Sequence, residues 1–323
     1  MGTAKLAHTP RLAEDEMVDR IRRTLGGGIQ GDRLRDDAAV LAVPGGGSVV
    51  VSTDSVVAGV HVDLALCAPA DVGWKALMGA LSDLAAMGAR PLGALVALCV
   101  PGSDGSGELA LGVMAGVAEA VGVSGCPVVG GDVSSAPELV VTVTVLGSVD
   151  GGVPVARAGA RAGDVVLLTG PCGGSAAGLR VLRAGESGGG VSPSADLVGA
   201  YRRPVARLAE GEVLRQAGAH AMIDISDGLA LDLHRLADAS GVGFALHDVP
   251  VAEGATRAEA LGGGEDYELL VAIGAEDAVR GAEALAARGL RAPRPIGVIS
   301  ADRDERRLAG MPLARLGWQH ALG

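Results

Sequence analysis

Residues 75–91 read KALMGALSDLAAMGARP and contain most of a predicted helix, Pro69–Met87. Proline suits the first turn of a helix and glycine suits its end, so Pro69 and Gly88 mark the two boundaries. Apolar residues recur along it at three- and four-residue intervals, which is typical of a helix that buries one face. The apolar stripe consists of Trp74, Leu77, Met78, Leu81, Leu84 and Ala85.

Asp83 lies on the opposite side of this helix from the apolar stripe. Its neighbours there are alanine, glycine and methionine, whereas a solvated helix face normally carries lysine, arginine or glutamate. Asp83 also stands near the helix C-terminus, where the dipole disfavours negative charge by about 0.3–1 kcal/mol. Because an isolated buried carboxylate is costly, a bound cation would remove both difficulties. The pattern therefore favours a cation-binding role over a structural one.

A second stretch, Val49–His61, reads VVVSTDSVVAGVH. Its β-branched run predicts a strand over Val49–Thr53 that points into a core. Ser52, Thr53 and Asp54 then follow without a turn signal. A carboxylate in that position must be paired, protonated or metal-bound, and hard oxygen ligands suit Mg²⁺.

Further acids fall at predicted strand ends and glycine turns. Asp36 and Asp37 precede AAVL, Asp132 closes VVGGD, and Asp224 and Asp227 flank the serine of IDISDG. Six of these acids, Asp37, Asp54, Asp83, Asp132, Asp224 and Asp227, would repel one another if gathered in one cleft, and several divalent ions would be the natural counter-charge.

Composition limits the class of protein. The chain has 323 residues, enough for two ordinary domains, and a hydrophobic fraction of 49%. Its net charge of −11 argues against binding to nucleic acid or an anionic membrane. No signal sequence is evident, and the longest apolar run, near Leu92–Val100, is far below the ~20 residues of a membrane span. We expect a soluble, cytoplasmic protein.

The pattern of elements pauses near Asp150, which predicts domains at residues 1–150 and 151–323. Strands follow strands directly in several places, so an α+β fold with mixed sheets is favoured over a doubly wound parallel sheet. The other predicted strands are Leu92–Val100, Pro127–Val129, Leu139–Leu146, Val165–Thr169, Met222–Ile225 and Tyr267–Ile273. The other predicted helices are Leu12–Leu25, Glu108–Val121, Ser175–Ala184, Arg207–Ala217, Gly228–Ala239 and Glu276–Arg288, with a flexible surface loop over Gly185–Ser194.

Phosphate-binding loops that depend on lysine are excluded. The only lysines are Lys5 and Lys75, and neither lies in a Walker A sequence. Residues 169–179, TGPCGGSAAGL, form a strand–glycine turn–helix unit. Most such turns only permit tight packing, and some bind an anion at the helix start. Metals and arginines would therefore have to neutralise any bound phosphate.

Taken together, the motifs resemble thiamine-monophosphate kinases, a family within the aminoimidazole ribonucleotide synthetase superfamily. The most specific are SDLAAMGA and GGEDYEL, and the matching motifs run in family order over nearly the whole chain. The matches are DDAAVL (36–41), STDSVVAGVH (52–61), KALMGALSDLAAMGARP (75–91), GGD (130–132), RAGARAGD (157–164), TGPCGGSAAGL (169–179), RRPVAR (202–207), IDISDGLALDL (223–233), GGGEDYEL (262–269) and GW (317–318).

This resemblance implies a two-domain aminoimidazole ribonucleotide synthetase-like fold, with an N-terminal mixed sheet that dimerises and a C-terminal α/β domain. It implies direct, in-line transfer of the γ-phosphoryl group of ATP to thiamine monophosphate, the last step of thiamine diphosphate synthesis. No general base is expected, because the acceptor phosphate, with a second pKa of ~6, is already ionised near neutral pH.

The resemblance also assigns site residues. Several Mg²⁺ ions would be held by Asp37, Ser52, Thr53, Asp54, Asp83, Asp132, Asp224 and Asp227. ATP would contact Ser52, Thr53, Gly131, Asp132, Arg157 and Ser226. The thiamine pocket would be lined by His61, Glu265 and Trp318.

Two departures and two alternatives stay open. Arg35 stands where the family usually has glycine, and the chain ends GWQHALG where an aromatic residue commonly follows the histidine. Another ATP-dependent synthetase of the superfamily is one alternative, although two of these families need a cysteine that is missing from the expected place and a third lacks the GGEDYEL-like signature. A non-catalytic nucleotide-binding paralogue is the other, but it predicts eroded metal-ligand positions, and none is eroded.

Overall fold

The computed structural model describes residues 12–25, 36–44, 46–186 and 195–322. Within them the chain forms a five-stranded sheet, a seven-stranded sheet and a small sheet that joins the two ends of the described chain. The first half contains β1 (Leu12–Ala13), α1 (Glu14–Leu25), β2 (Ala39–Ala42), β3 (Ser48–Val57), α2 (Pro69–Ala86), β4 (Arg90–Val100), α3 (Ser106–Ser124), β5 (Val128–Ser135) and β6 (Val140–Ser148).

The second half begins with β7 and ends with β14. Its elements are β7 (Val165–Leu168), α4 (Gly174–Glu186), α5 (Ala195–Arg202), α6 (Leu208–Ala217), β8 (Ala221–Asp224), α7 (Leu229–Ser240), β9 (Gly243–Leu246), α8 (Arg257–Gly262), β10 (Leu269–Ile273), α9 (Ala275–Ala287), β11 (Arg294–Ser300), β12 (Arg306–Leu308), β13 (Met311–Pro312) and β14 (Ala321–Leu322).

The five-stranded sheet has the order β2-β3-β6-β4-β5 and is mixed, because β4 and β5 run parallel while the other pairs are antiparallel. Side chains alternate between its faces. One face carries Val50, Val56 and Val143, which are buried in a core with Leu77 and Leu81 of α2. The sheet thus positions α2 directly above β3.

Helix α3 fixes α2 in place by an unusually close approach. A Cβ atom at Gly116 would lie 1.7 Å from the carbonyl oxygen of Ala70, and one at Gly73 would lie 1.9 Å from that of Val113. Only glycine at both positions lets the two backbones come so near. On its other side α2 meets the second half, where Ala85 and Ala86 are buried in a further core. The predicted core helix is confirmed.

The same α3, Ser106–Ser124, is one helix among the described residues that is long and apolar enough to cross a membrane, judged by length and composition only. Of its most apolar window, 22% is buried inside the fold. Single helices of this kind are weak evidence for a span, and here the helix packs along α2.

The seven-stranded sheet has the order β13-β12-β9-β11-β7-β10-β8. Its pairs are antiparallel except for β12 with β9. One core joins α7 to Phe244 and Ile223, and another joins α6 and α9 to Met222 and Val271. The expectation of an α+β fold with mixed sheets, rather than a doubly wound parallel sheet, is confirmed. The division at residue 150 stays a prediction.

Several boundaries differ from those predicted. Strand β3 continues past Asp54 to Val57, and β5 extends to Ser135. Tyr267 stands outside β10 because its φ of 50° is left-handed, which a strand does not accommodate. The structure also has elements that the sequence pattern did not predict, chiefly β2, β9, β11 and α5. Of the predicted loop Gly185–Ser194, the first two residues belong to α4, and 187–194 lie outside the described residues.

The two ends of the described chain meet in the small sheet. Leu12 of β1 pairs with Leu322 of β14, and Ala13 pairs with Ala321. The predicted helix Leu12–Leu25 therefore starts two residues later, at Glu14. This pairing ties the segment that contains Trp318 and His320 to the N-terminal helix.

Candidate active site

Three carboxylates from distant parts of the sequence meet between the two halves. Oxygens of Asp37, Asp83 and Asp224 all lie within 4.8 Å of one another. Asp37 precedes β2, Asp83 is in the last turn of α2, and Asp224 ends β8. The Ser52 hydroxyl donates to Oδ2 of Asp83, and the Ser82 hydroxyl donates to Oδ2 of Asp224 at 2.6 Å. The fold therefore brings together three of the predicted metal ligands.

Negative charge in this cluster exceeds its local counter-charge. Burial, followed by the charge of nearby carboxylates, raises the pKa of both Asp83 and Asp224 well above the usual range. Arg157 Nη2 donates to Oδ1 of Asp37 at 2.6 Å. Oδ2 of Asp37 is buried and has no hydrogen-bond partner in the described part of the chain. An all-oxygen set with an unsatisfied buried carboxylate oxygen fits a hard divalent cation.

The cluster opens into a cleft of about 620 Å³ that both halves line. Asp54 is exposed to the cleft from the middle of β3, and Asp227 faces it from the turn after β8. The acidic part of its lining includes Asp54, Asp83, Asp224 and Asp227, and a second part includes His61, Tyr201, Glu265, Tyr267, Trp318 and His320.

The alternation of β3 separates Thr53 from its neighbours. Ser52 and Asp54 lie on the α2 side, whereas the Thr53 hydroxyl is 3.0 Å from that of Thr144 across the strand pair on the other face. Ser55 pairs in the same way with Thr142, at 2.8 Å. Thr53 is among the residues that line the cleft, but its hydroxyl contacts Thr144 rather than an acid, so its role as a ligand stays a prediction.

Gly131 and Asp132 lie on β5, the edge strand of the first sheet. Asp132 is exposed and accepts a hydrogen bond from Ser134 Oγ at 3.3 Å. A Cβ atom at Gly131 would lie 1.9 Å from the carbonyl oxygen of Val96, so its close approach is to the adjacent strand. Neither residue is among those that line the cleft, and their predicted contacts with ATP stay predictions.

The turn after β8 is held by a buried acid that the sequence analysis missed. Asp232 accepts hydrogen bonds from the backbone N–H groups of Asp227 and Gly228, each at 3.0 Å. Arg235 Nη1 contacts both Asp227 and Asp232. Burial, with the Asp227 charge second, raises the pKa of Asp232 to about 7. The i, i+3 spacing of Asp232 and Arg235 could have been noticed, but it is common on exposed helices.

Glu265 is held by a lysine that the sequence analysis left without a role. Lys75 Nζ donates to Oε2 of Glu265 at 2.8 Å and lies 4.0 Å from the centre of the Tyr201 ring. The lysine is only 1% exposed. A buried ammonium needs a partner. Glu265 is that partner, and the lysine reaches it from α2, on the core side of the cleft.

His61 and Trp318 are brought together by the C-terminal segment. Nδ1 of His61 accepts the Val57 N–H at 3.0 Å, and its Nε2 lies 3.3 Å from Nε2 of His320. Burial, followed by the His320 charge, lowers the pKa of His61. The backbone N–H of Trp318 donates to the Asp227 carbonyl at 2.9 Å, while the residue is 55% exposed. The three predicted pocket residues, His61, Glu265 and Trp318, thus line one cleft.

The glycine turn at residues 169–179 is filled by the protein itself. Asp266 accepts the N–H of Gly173 at 2.6 Å and that of Ser175 at 3.2 Å, at the N-terminus of α4. An internal carboxylate therefore occupies the place where an anion would bind. This arrangement favours the packing role for the turn over a phosphate-binding one.

Asp266→Asn should give a pH-dependent gain in stability. Burial raises the pKa of Asp266 to about 7, above its value in the unfolded chain, so the ionised group costs stability in the folded state. This cost is absent below about pH 4 and grows as the pH rises towards 7. We expect the melting temperature of the variant, relative to the parent, to increase between pH 5 and pH 8 by circular dichroism. Asp104→Asn, at an exposed position, is the control, and a flat or falling difference would contradict the prediction.

Comparison with known families identifies the family to which the chain belongs. The family model of the AIR synthase related protein, N-terminal domain, matches residues 35–149, and that of the C-terminal domain matches residues 161–309. The thiamine-monophosphate kinase of Corynebacterium glutamicum is 36% identical over 273 residues, 80% of this chain and 81% of that protein. That of Methanopyrus kandleri is 36% identical over 283 residues, 83% of this chain and 86% of that protein. The chain belongs to the thiamine-monophosphate kinase family.

Solved structures agree with membership of the thiamine-monophosphate kinase family. AaThiL complexed with AMPPCP and TMP has a TM-score of 0.84 and 29% identity, over 97% of this chain and 100% of that chain. Thiamine-monophosphate kinase from Stenotrophomonas maltophilia has a TM-score of 0.73 and 29% identity, over 95% and 100%. The chain is therefore an enzyme of the kinase class with the aminoimidazole ribonucleotide synthetase-like fold expected from the sequence.

Lys75 and Tyr267 also lie at the candidate site, although the sequence analysis gave neither a role. Each acquires its surroundings only through contacts distant in sequence. Their signals were present, since Lys75 is a lysine in a predicted core helix and Tyr267 belongs to GGEDYEL. Arg35, the departure from the family pattern, lies outside the described residues.

Proposed function

We propose that this protein transfers the γ-phosphoryl group of ATP directly to the phosphate of thiamine monophosphate, forming thiamine diphosphate and ADP, the last step of thiamine diphosphate synthesis. The observation that carries the proposal is a single cleft that joins a cluster of buried carboxylates to Glu265, His61 and Trp318. Support comes also from AaThiL, which was solved with AMPPCP and TMP.

We infer that several Mg²⁺ ions belong to the acidic part of the cleft. Asp37, Asp83 and Asp224 would hold them, together with Ser52 and the cleft-facing Asp54 and Asp227; Thr53 and Asp132 are further ligands predicted from the family motif. When bound, Mg²⁺ would neutralise the carboxylates and the phosphate oxygens so that the two anionic reactants can approach.

Arg157 and Ser226 would contact ATP, with Ser52, Thr53, Gly131 and Asp132 as the other predicted contacts. Arg157 supplies positive charge on the nucleotide side, where its guanidinium already lies against Asp37. Ser226 stands between Asp224 and Asp227, and its carbonyl accepts the Glu265 N–H at 2.7 Å. A nucleotide contact at Ser226 would therefore be rigidly linked to the residue that faces thiamine.

Thiamine would bind at the other part of the cleft. Its thiazolium is a cation, and Glu265 offers it a carboxylate whose Oε2 is already held by Lys75. The exposed ring of Trp318 offers a face for stacking or a cation–π contact, which is worth about 0.5–2 kcal/mol. His61, with Nδ1 accepting from the backbone, directs Nε2 towards His320, which also lines the cleft. Catalysis would rest on positioning and charge neutralisation, without a general base.

We further propose that the protein is a cytoplasmic homodimer that pairs through the first sheet. All eight residues of β5 are exposed, and the strand is hydrogen-bonded to β4 on one side only. Val129 and Val133 on it are 63% and 71% exposed. Long apolar edge strands are normally covered, and a second copy of the chain would do so. Sedimentation of the purified protein measures its oligomeric state directly.

The assay that tests the function combines purified protein, ATP, Mg²⁺ and thiamine monophosphate, with both products measured by chromatography. We expect thiamine diphosphate and ADP in equal amounts and loss of both in EDTA. ATP binding without turnover would favour the non-catalytic paralogue. ADP formation without thiamine diphosphate would favour another ATP-dependent synthetase of the superfamily.

A further inference from the structure

Tyr267 has a backbone conformation that calls for an explanation. Its φ is 50°, and that of Glu265, two residues earlier, is 64°. Non-glycine residues in the left-handed region cost about 1–3 kcal/mol, and such strain is often found at functional sites. Hydrogen bonds to the turn after β8 hold both residues, from Glu265 N to Ser226 O at 2.7 Å and from Tyr267 N to Ile225 O at 2.9 Å.

The strained backbone directs side chains to two sides. Glu265 and Tyr267 both line the cleft, whereas the intervening Asp266 turns away to the N-terminus of α4. An ordinary extended segment would also alternate its side chains, but the two left-handed residues additionally keep this segment against the turn after β8, which contains Asp227. Tyr267 is thereby placed beside both parts of the cleft.

The Tyr267 hydroxyl lies where the two parts of the cleft meet. A Cβ atom at Gly79 would be 3.1 Å from Tyr267 Oη and 3.4 Å from Asp54 Oδ2, so both oxygens flank one point of α2, a single turn before Asp83. Tyr267 lines the cleft together with Glu265 and with Asp54, Asp83 and Asp224. An ordinary phenol keeps its proton at neutral pH, so the hydroxyl is a neutral hydrogen-bond donor among acids.

We propose that Tyr267 is a catalytic residue whose hydroxyl donates a hydrogen bond to the phosphate of thiamine monophosphate. The proposal rests on the proposed function, since it takes the thiamine group to lie at Glu265 and the nucleotide to lie at the acids. The acceptor phosphate must then stand between them, beside Oη. A donor there holds the attacking oxygen in position and adds no negative charge. Gly79 leaves the space that the hydroxyl needs.

Tyr267→Phe removes this donor and keeps the ring. Calorimetry of the full-length protein with thiamine monophosphate and with thiamine, which lacks the phosphate, separates binding of the phosphate group from binding of the thiamine group. Hydrogen bonds to charged groups are worth about 1.5–3 kcal/mol, so we expect thiamine monophosphate to bind roughly 10–100-fold more weakly. Binding of thiamine should stay within about twofold of the parent value, and kcat should fall.

Glu265→Gln is the matched comparison, because it should weaken thiamine and thiamine monophosphate alike. Equal weakening of both ligands by Tyr267→Phe would show a merely structural role, and unchanged binding of both would overturn the proposal outright. If the variant fails to fold, Gly79→Ala, which crowds the hydroxyl, should produce the same selective loss. A parent enzyme that makes no thiamine diphosphate would overturn the proposed function instead, whatever the ligand preference of the variants.

Discussion

Asp83→Asn is expected to abolish phosphoryl transfer while making the metal-free protein more stable. We expect kcat to fall by roughly 10²–10³-fold or more, the loss seen when one preorganised charge-stabilising group is removed. Asp83 is buried beside Asp37 and Asp224, and its pKa is raised because the ionised form is poorly solvated and repelled there. Asparagine removes that charge but keeps an oxygen to accept the hydrogen bond from Ser52.

Differential scanning calorimetry in EDTA tests the stability half of this prediction. For a protein of this size, each kcal/mol gained raises the melting temperature by roughly 1–2 °C. Added Mg²⁺ should raise the melting temperature of the parent and should raise that of the variant less, because a ligand stabilises only the folded state that binds it. Asp104→Asn, at an exposed position, should change neither activity nor the response to Mg²⁺. A fully active Asp83→Asn enzyme would show that Asp83 is not a metal ligand.

The buried, closely packed environment of Asp83 could be anticipated from sequence because local and global signals agree at that position. A carboxylate on a face of small residues indicates close packing whatever packs there, and the structure supplies that packing from the second half of the chain. That Asp37 and Asp224 lie beside Asp83 could be predicted only from the family motifs. Their separation along the chain contains no geometric information, since they meet only through the docking of two sheets.

The course of β3 shows where the sequence pattern misleads. The apolar run ends at Val51, so the strand was expected to end within STDS, yet it continues to Val57. The polar residues fit a strand because one of its faces is a cleft and the other pairs hydroxyls, Thr53 with Thr144 and Ser55 with Thr142. The polar residues of β3 face the cleft on one side and pair with hydroxyls of β6 on the other. Neither arrangement requires a turn.

Lys75 and Tyr267 could not have been placed from sequence for related reasons. Lys75 meets Glu265 across 190 positions of the chain, and its charge is acceptable in a core helix only because of that partner. Tyr267 adopts a left-handed conformation that glycine favours and tyrosine does not, so nothing in its residue type predicts the turn. Both contacts are made possible by α2, which also presents Ser82 and Asp83 to the second half.

Because α2 organises the site, its packing against α3 should be critical. Gly116→Ala would place a Cβ atom 1.7 Å from the backbone oxygen of Ala70, and a backbone atom cannot move aside as a flexible side chain can. The two helices would have to separate, so we expect a loss in the free energy of unfolding of about 3 kcal/mol or more, the upper end of the overpacking range.

Gly122→Ala in the same helix is the matched control for Gly116→Ala. Nothing lies within 4 Å of a Cβ atom at Gly122, so alanine should instead raise the free energy of unfolding by about 0.5–1 kcal/mol through its better helix propensity. Urea denaturation of both variants measures the difference. If the two substitutions had the same effect, the close approach of α3 would not be what holds α2. Opposite signs, together with a loss of kinase activity in the Gly116 variant alone, would show that α3 contributes to the site only by fixing the helix that carries Lys75, Ser82 and Asp83.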